Sequence, residues 1–175
     1  MLLRAFKGRF PLTLMRAFCC YVRPILEYAS PVCMVKDVRI IENVQRTFTR
    51  RVLAKCGIAK MSYEARLLHF GIESLQARRV KSDLVMLYKM SNGLVDLALS
   101  QFFPSYNSQR VGTRSNGLSL LHPFKPNLDI VTHSFAFRAR IIWNALPVDC
   151  VRAKSTSEFA GKVDKYFALH PILIK

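Results

Sequence analysis

Three arginines within one stretch of the sequence have the chemistry and spacing to bind phosphate groups. Arg39, Arg46 and Arg50 are separated by seven and four residues, which places them on one side of an α-helix. A guanidinium group donates two parallel hydrogen bonds, a geometry that suits phosphate oxygens. They predict a helix face that contacts a polyanion through its phosphates. A cationic helix face is also compatible with an ordinary solvated surface.

The acidic residues do not form a pattern that would support metal-dependent catalysis. Polymerases and nucleases that use two metal ions need at least two carboxylates held close together. The sequence contains no two adjacent acidic residues, no glycine-rich phosphate loop, no Gly-x-Ser-x-Gly turn and no His-Glu-x-x-His motif. We therefore predict no catalytic residues, no metal site and no cofactor in this chain.

The stretch AFCCYVRPILEYASPVC, residues 17–33, holds three of the five cysteines and raises the alternatives of a metal site, a redox site or a membrane segment. Zinc sites need closely spaced ligand pairs, and no Cys-x-x-Cys pair occurs. Arg23 and Glu27 interrupt the apolar run, which is too short to span a membrane. The cysteines are therefore expected to be buried thiols of an intracellular protein, in the nucleus or cytoplasm. The basic first 23 residues could also pass for a mitochondrial presequence, although Pro11 interrupts them.

The overall charge supports a polyanionic partner. The 175 residues include 27 Lys and Arg against 11 Asp and Glu, which gives a formal net charge of +16. Residues 1–60 alone carry 12 basic and three acidic side chains, whereas residues 61–99 are nearly neutral. Such an excess on a folded chain indicates nucleic acid first and an anionic membrane surface second. No aromatic-rich RNA-binding motif is present, so the pattern predicts contact with the backbone and not base-specific recognition.

Hydrophobic periodicity and capping signals predict an all-α protein. In residues 36–55, apolar side chains recur every three or four residues, with Gly57 as the stop. That apolar arc comprises Val38, Ile41, Val44, Phe48 and Val52. Further helices are predicted from Pro11 to Val22 with a restart at Pro24, from Ser62 to Gly71, from Ser74 to Gly93, over 133–146, and after the capping box Ser155–Glu158.

The predicted architecture is a bundle of about five to seven helices with one irregular connector. Residues 1–99 form a helical domain, residues 100–130 a loop-rich connector, and residues 131–175 a C-terminal helical segment packed on the first domain. Within the connector, GLSLL at 117–121 is a candidate short strand or part of a hairpin.

The order of several short motifs resembles one family. They are, along the chain, FKGRF, YVRPILEYASPV, IENVQRTFTRRV, SYEARLLHFGIESLQARRVKSDLVMLYKMSNGLVD, FF, TRSNGLSLL, the pattern SF..R....WN.LP from Ser134 to Pro147, and S..EF...VDKYF. In this order they resemble the C-terminal part of the reverse transcriptase of non-LTR retrotransposons, the jockey-like LINE group. The resemblance covers nearly the whole chain.

The resemblance implies a thumb-like fragment of an RNA-directed DNA polymerase. In that family this region follows the palm, whose paired aspartates bind the Mg²⁺ that the parent polymerase would use. A thumb holds RNA, DNA or an RNA–DNA hybrid by the backbone, and it leans on the palm and fingers of the full enzyme. The implied contacts are Arg39, Arg46, Arg50, Arg51 and Lys55, followed by four further arginines, Arg78, Arg79, Arg110 and Arg114. Arg78 and Arg79 are equally compatible with a role in helix packing.

The chain departs from the family pattern in ways that affect its expected activity. Fingers, palm and endonuclease are missing, Cys33 stands where the family commonly has Trp, and TRSN replaces a common Thr-Arg-Gly-His. These departures indicate a truncated copy that is inactive alone. The alternative is a non-catalytic assembly module that docks on a longer reverse transcriptase. Trp143 is expected to pack as an aromatic anchor at a helix end.

Overall fold

The computed structural model describes residues 2–28, 30, 38–103 and 134–170, and this part of the protein is all α-helical. Six helices have eight or more residues, which agrees with the predicted bundle, and four short helices add to them. The candidate strand at 117–121 and most of the predicted connector lie outside the described residues. In chain order the helices are α1 (Leu2–Ala5), α2 (Pro11–Tyr21), α3 (Arg23–Glu27), α4 (Val38–Cys56), α5 (Tyr63–Phe70), α6 (Leu75–Ser91), α7 (Leu99–Phe102), α8 (Phe135–Ala145), α9 (Val148–Val151) and α10 (Thr156–Leu169).

The described residues divide into two compact units, and the division differs from the predicted domains. The first unit falls within 1–29 and 37–78, and the second within 30–36 and 79–175. The boundary thus lies inside helix α6 and not near residue 99. Within the second unit, residues from 134 onward pack on residues 79–103.

The first unit is built around the contact of α2 with α4. Buried side chains of α2, including Phe18, pack with Val52 and Leu53 of α4 and with Phe70 of α5. The ring of Phe18 stacks on that of Phe48, with 4.5 Å between the centroids. Helix α2 begins at Pro11, where the missing N–H of proline costs no hydrogen bond.

Local capping residues end and begin the helices as predicted. Ser62 Oγ accepts a hydrogen bond from the N–H of Ala65 at the start of α5. Gly71 ends α5 with φ of +61°, a conformation that glycine adopts without the steric cost of a Cβ. Ser155 Oγ accepts from the N–H of Glu158 at the start of α10, which confirms the predicted N-cap, while the Glu158 carboxylate accepts from the N–H of Lys154.

The second unit has the larger core, which gathers around Phe159. The ring of Phe159 is fully buried, stacks on Tyr88 at 4.5 Å between centroids, and lies 5.9 Å from the ring of Trp143. Tyr88 is buried as well, and its hydroxyl donates a hydrogen bond to the carbonyl of Ala153 at 2.7 Å. Trp143 is 4% exposed, which confirms its expected packing role.

A buried ion pair also belongs to the second unit. Asp83 of α6 accepts hydrogen bonds from Arg138 of α8, at 3.0 Å from Nε and 3.3 Å from Nη2. Burial raises the pKa of Asp83, although Arg138 and Arg79 oppose that change. A buried carboxylate needs such partners because an isolated buried charge is strongly unfavourable.

The cysteines follow the packing prediction with one exception. Cys19 and Cys56 are half-buried against the core of the first unit, and Cys150 is buried in the second. Cys20 is exposed, because it follows Cys19 on α2 and therefore points to a different side of the helix. Cys33 lies outside the described residues.

Among the residues that the structure describes, no three His, Cys, Asp or Glu side chains gather in a group that could hold a metal ion. None of the described helices combines the length and the hydropathy needed to cross a bilayer.

The Glu158 carboxylate, in the first turn of α10, makes the stability of the second unit depend on pH. Hydrogen bonds from the Lys162 ammonium and the N–H of Lys154 lower the pKa of Glu158. Because the pKa in the folded state lies below its unfolded value, this stabilising contribution is complete above the unfolded pKa. It is lost as the pH falls through the folded pKa.

We therefore expect Glu158→Gln to lower the urea midpoint of the second unit at pH 7. The difference from the wild type should shrink as the pH falls below about 4. Emission of Trp143, the single tryptophan of the chain, measures this transition. As a control, Asp96→Asn changes an exposed loop carboxylate of the same unit and should leave the midpoint unchanged. If the difference in urea midpoint between Glu158→Gln and the wild type does not change with pH, the ionised Glu158 carboxylate does not stabilise the second unit.

Candidate nucleic-acid interface

The predicted arginine stripe lies on the surface of α4. Arg39, Arg46 and Arg50 are all exposed, and their spacing along the helix keeps them on one side. Among the described residues, no carboxylate lies within 4.0 Å of the guanidinium groups of Arg46 or Arg50. The stripe therefore presents positive charge to solvent at these two positions without an ion-pair partner.

Only part of the predicted apolar arc of α4 faces the core: Val52 is buried and Phe48 packs against the core, but polar residues share the buried face. The buried residues of α4 include three polar ones, Glu42, Gln45 and Thr49. Val44, which belongs to the apolar arc, is 40% exposed, and neighbouring Ile40 is 67% exposed. The helix is therefore rotated about its axis from the orientation that hydrophobicity alone would give.

Hydrogen bonds of the buried polar residues explain this rotation. Gln45 Nε2 donates to the Glu73 carbonyl at 2.9 Å and to the Tyr63 hydroxyl at 3.0 Å. Tyr63 in turn donates to Glu42 Oε1, and Glu42 Oε2 accepts from the N–H of Gln76 at 3.0 Å. Glu42 thus satisfies one of the free N–H groups in the first turn of α6, where a negative charge is favourable. These bonds fix the orientation of α4, and with it the direction of the arginine stripe.

Tyr63 links the polar contact to the stripe. The guanidinium of Arg46 lies over the Tyr63 ring at 4.4 Å from its centroid, and that of Arg66 lies at 5.4 Å. Burial, followed by the hydrogen bond to Glu42 and its negative charge, raises the pKa of Tyr63. The phenol therefore stays protonated and keeps donating to Glu42. Arg46 is held by a cation–π contact while remaining exposed.

Arg66 lies near the arginine stripe, over the same Tyr63 ring as Arg46, and was not among the predicted contacts. It belongs to α5, and its Nη1 donates to the Met61 carbonyl at 3.1 Å. Glu64 is an exposed carboxylate close to these arginines; a backbone hydrogen bond, a bond from Ser62 and the charges of Arg46 and Arg66 lower its pKa. The sequence places Arg66 four residues after the helix-capping Ser62, and therefore on α5. It does not indicate that this part of α5 lies beside α4.

Arg51 and Lys55 lie away from the stripe centre and have different surroundings. Arg51 is exposed and lines an apolar groove of about 950 Å³ between α4 and the N-terminal helices α1 and α2. Lys55 is half-buried, and its ammonium donates to the carbonyls of Leu3, at 2.6 Å, and Phe6. Lys55 therefore fastens the N-terminal segment to α4, which favours a structural role.

The remaining predicted contacts are engaged within the protein or lie outside the described residues. Arg78 donates to both carboxylate oxygens of Glu27, and its Nη2 lies 3.1 Å from Oε2. Arg79 is 8% exposed and donates to the Ser30 carbonyl at 3.4 Å. Of the two roles considered for Arg78 and Arg79, this geometry favours helix packing over phosphate contact. Arg110 and Arg114 lie outside the described residues.

The groove beside the stripe is almost wholly apolar. Its walls include Phe18 and Tyr21 of α2 and Ile40, Val44 and Phe48 of α4. Two arginines, Arg4 and Arg51, also line it, and none of the acidic residues that the structure describes does so. An apolar concave surface of this kind is suited to a partner that brings apolar side chains.

Removal of Glu42 should destabilise the first unit. In Glu42→Ala the Tyr63 hydroxyl and the Gln76 N–H lose a charged acceptor, which we expect to lower the free energy of unfolding by about 2–4 kcal/mol. Urea unfolding followed by far-UV circular dichroism measures the change. Glu64→Ala removes the same charge from an exposed position and should cost less than about 0.5 kcal/mol. Equal effects of the two variants would show that Glu42 does not anchor α4.

Comparison with known proteins identifies no family for this chain. The chain matches no protein-family model, and no curated protein or solved structure is significantly similar to it.

Proposed function

We propose that this chain is a non-catalytic fragment of a retrotransposon reverse transcriptase, derived from the thumb and the region after it. It binds RNA, DNA or an RNA–DNA hybrid through backbone phosphates. The observation that carries the proposal is the exposed stripe of Arg39, Arg46 and Arg50, in which Arg46 and Arg50 have no carboxylate partner among the described residues.

The composition of the first unit supports the proposal. Its described residues carry 13 basic and four acidic side chains. Glu27 is paired with Arg78, and the remaining 12 basic side chains outnumber the three remaining acidic ones. The excess is therefore concentrated at the surface, where it attracts a polyanion.

In the proposed mechanism the chain holds a duplex without performing chemistry on it. The guanidinium groups contact phosphate oxygens, which carry no sequence information. Without paired carboxylates, the chain does not transfer phosphoryl groups on its own. Nucleic acid and reduced thiols occur together in the nucleus and the cytoplasm, which are the compartments we assign.

Titration of two unrelated hybrid duplexes tests the proposal. Fluorescence anisotropy with two labelled 20-base-pair RNA–DNA hybrids should give saturable binding at low salt with dissociation constants that agree within about threefold, because phosphate contacts do not read sequence. Absence of saturable binding to either duplex would refute the proposal.

A second candidate function rests on the apolar groove. In this alternative the chain is an assembly module that docks on the palm and fingers of a longer reverse transcriptase, and Ile40 and Val44 enter the interface. The chain should then form a complex with a palm-and-fingers fragment of a jockey-like enzyme in sedimentation experiments. Ile40→Asp with Val44→Asp should abolish that complex but leave hybrid binding intact. If the double variant retains the complex, the groove is not the docking surface.

A further inference from the structure

The segment FKGRF, residues 6–10, presents aromatic side chains to solvent. Phe10 is 70% exposed and Phe6 is 37% exposed. Isolated exposed apolar residues are common on proteins and need no explanation by themselves. Here the two rings lie in a segment that is held in place and that contains exposed cations, and these further observations suggest a ligand.

Contacts on both sides of the segment fix the position of Phe10. The Lys55 ammonium donates to the carbonyls of Leu3 and Phe6 and so holds the chain before it. The carbonyl of Phe10 accepts from the N–H of Leu14 at 3.1 Å, which ties the residue to the first turn of α2. One edge of the Phe10 ring rests on Gly8, where a Cβ would lie 2.9 Å from Cδ2. The ring is thus supported from within the protein and open on the side of the solvent.

The residues next to Phe10 in the sequence include exposed cations. Arg4, Lys7 and Arg9 are exposed, and the sequence contains no acidic residue before Glu27. Within the described part of the chain, none of these three cations takes part in an ion pair. A supported aromatic ring in a segment with exposed cations has the two components of a single-strand binding site, a stacking surface and phosphate contacts.

We propose that Phe10 is a stacking platform for an unpaired base of single-stranded RNA or DNA, with Lys7 and Arg9 as contacts for the adjoining phosphates. The inference deepens the proposed function and rests on it, but it assigns the unpaired strand to side chains other than the arginine stripe. Stacking is indifferent to base identity because every base has a π-face. This property agrees with the lack of a base-specific motif in the sequence.

An abasic overhang separates stacking from phosphate contact. Two labelled hairpins carry the same five-nucleotide 3′ overhang, one with all its bases and the other with abasic sites, so that their phosphates are identical. The wild-type chain should bind the base-bearing hairpin about 5- to 100-fold more tightly. In Phe10→Ala this ratio should fall to about one, and in Phe10→Trp, which keeps an aromatic ring, it should persist.

Further variants separate loss of stacking from misfolding and from loss of the arginine stripe. Phe10→Leu keeps an apolar side chain at the start of α2 and should lose the ratio as Phe10→Ala does. The combined change of Arg39, Arg46 and Arg50 to Gln should weaken binding of both hairpins and preserve the ratio. A wild-type ratio of one, with both hairpins still bound, overturns the stacking platform and leaves the proposed function standing. Failure to bind either hairpin overturns both. A ratio of one together with Phe10-dependent binding to anionic phospholipid vesicles would assign the segment to a membrane surface instead.

Discussion

Replacing Arg39, Arg46 and Arg50 together with Gln should lower the affinity of the chain for an RNA–DNA hybrid about 100- to 1,000-fold at 50 mM salt. Each arginine lies on the exposed side of α4 and is expected to donate charge-assisted hydrogen bonds to phosphate oxygens. Loss of about 1–1.4 kcal/mol per contact accounts for that range. Fluorescence anisotropy at constant salt measures the change.

The control for this variant removes the same charge from another surface. Arg152, Lys154 and Lys165 are exposed in the second unit, and their joint replacement with Gln lowers the net charge equally. We expect this control to weaken binding by less than about tenfold, since general attraction between charges is screened by salt. If the two triple variants lose affinity equally, net charge and not the stripe is responsible for binding.

Phe159→Ala should cost the second unit about 3–5 kcal/mol of its free energy of unfolding. Phe159 is fully buried between the rings of Tyr88 and Trp143, and its loss leaves a cavity that these large neighbours do not fill. This cost is a large fraction of the stability of an ordinary domain. Urea unfolding followed by Trp143 emission measures it, because the chain has one tryptophan and it lies beside the substituted ring.

The matched control for this prediction lies on the same helix. Leu169→Ala changes a side chain of α10 that is 78% exposed, and we expect a loss of less than about 0.5 kcal/mol. A small effect of Phe159→Ala, similar to that of the control, would mean that Phe159 does not organise the core.

The features that sequence predicted well are those set by neighbouring residues. Ser62 and Ser155 begin helices through hydrogen bonds to N–H groups three residues away. Gly57, Gly71 and Gly93 follow helix ends with positive φ, as local steric rules require. The all-α class follows from these signals together with the helical period of the apolar residues.

The features that sequence did not predict depend on residues far apart in the chain. The rotation of α4 is set by Glu42 and Gln45, whose partners Tyr63 and Gln76 lie 18 to 34 positions later. An apolar count along α4 does not contain this information, because a buried polar side chain is stable only with its partners in place.

The same reason applies to the candidate site and to the boundary between the units. The pairing of Arg78 was not predictable from the sequence, because its partner Glu27 lies 51 residues earlier in the chain. The boundary between Arg78 and Arg79 lies inside one continuous helix, so no glycine, proline or polar run marks it. By contrast, the exposure of Arg39, Arg46 and Arg50 follows from their shared side of α4 and was predictable.

The salt dependence of hybrid binding by the wild-type chain tests the central claim most directly. If three to five phosphates are neutralised by the stripe and the adjoining cations, the affinity should fall about 40- to 500-fold between 50 and 200 mM salt, because binding releases counterions. We predict a straight line of that slope in a plot of log affinity against log salt. A dissociation constant that stays the same over this range would contradict phosphate binding by the arginine stripe.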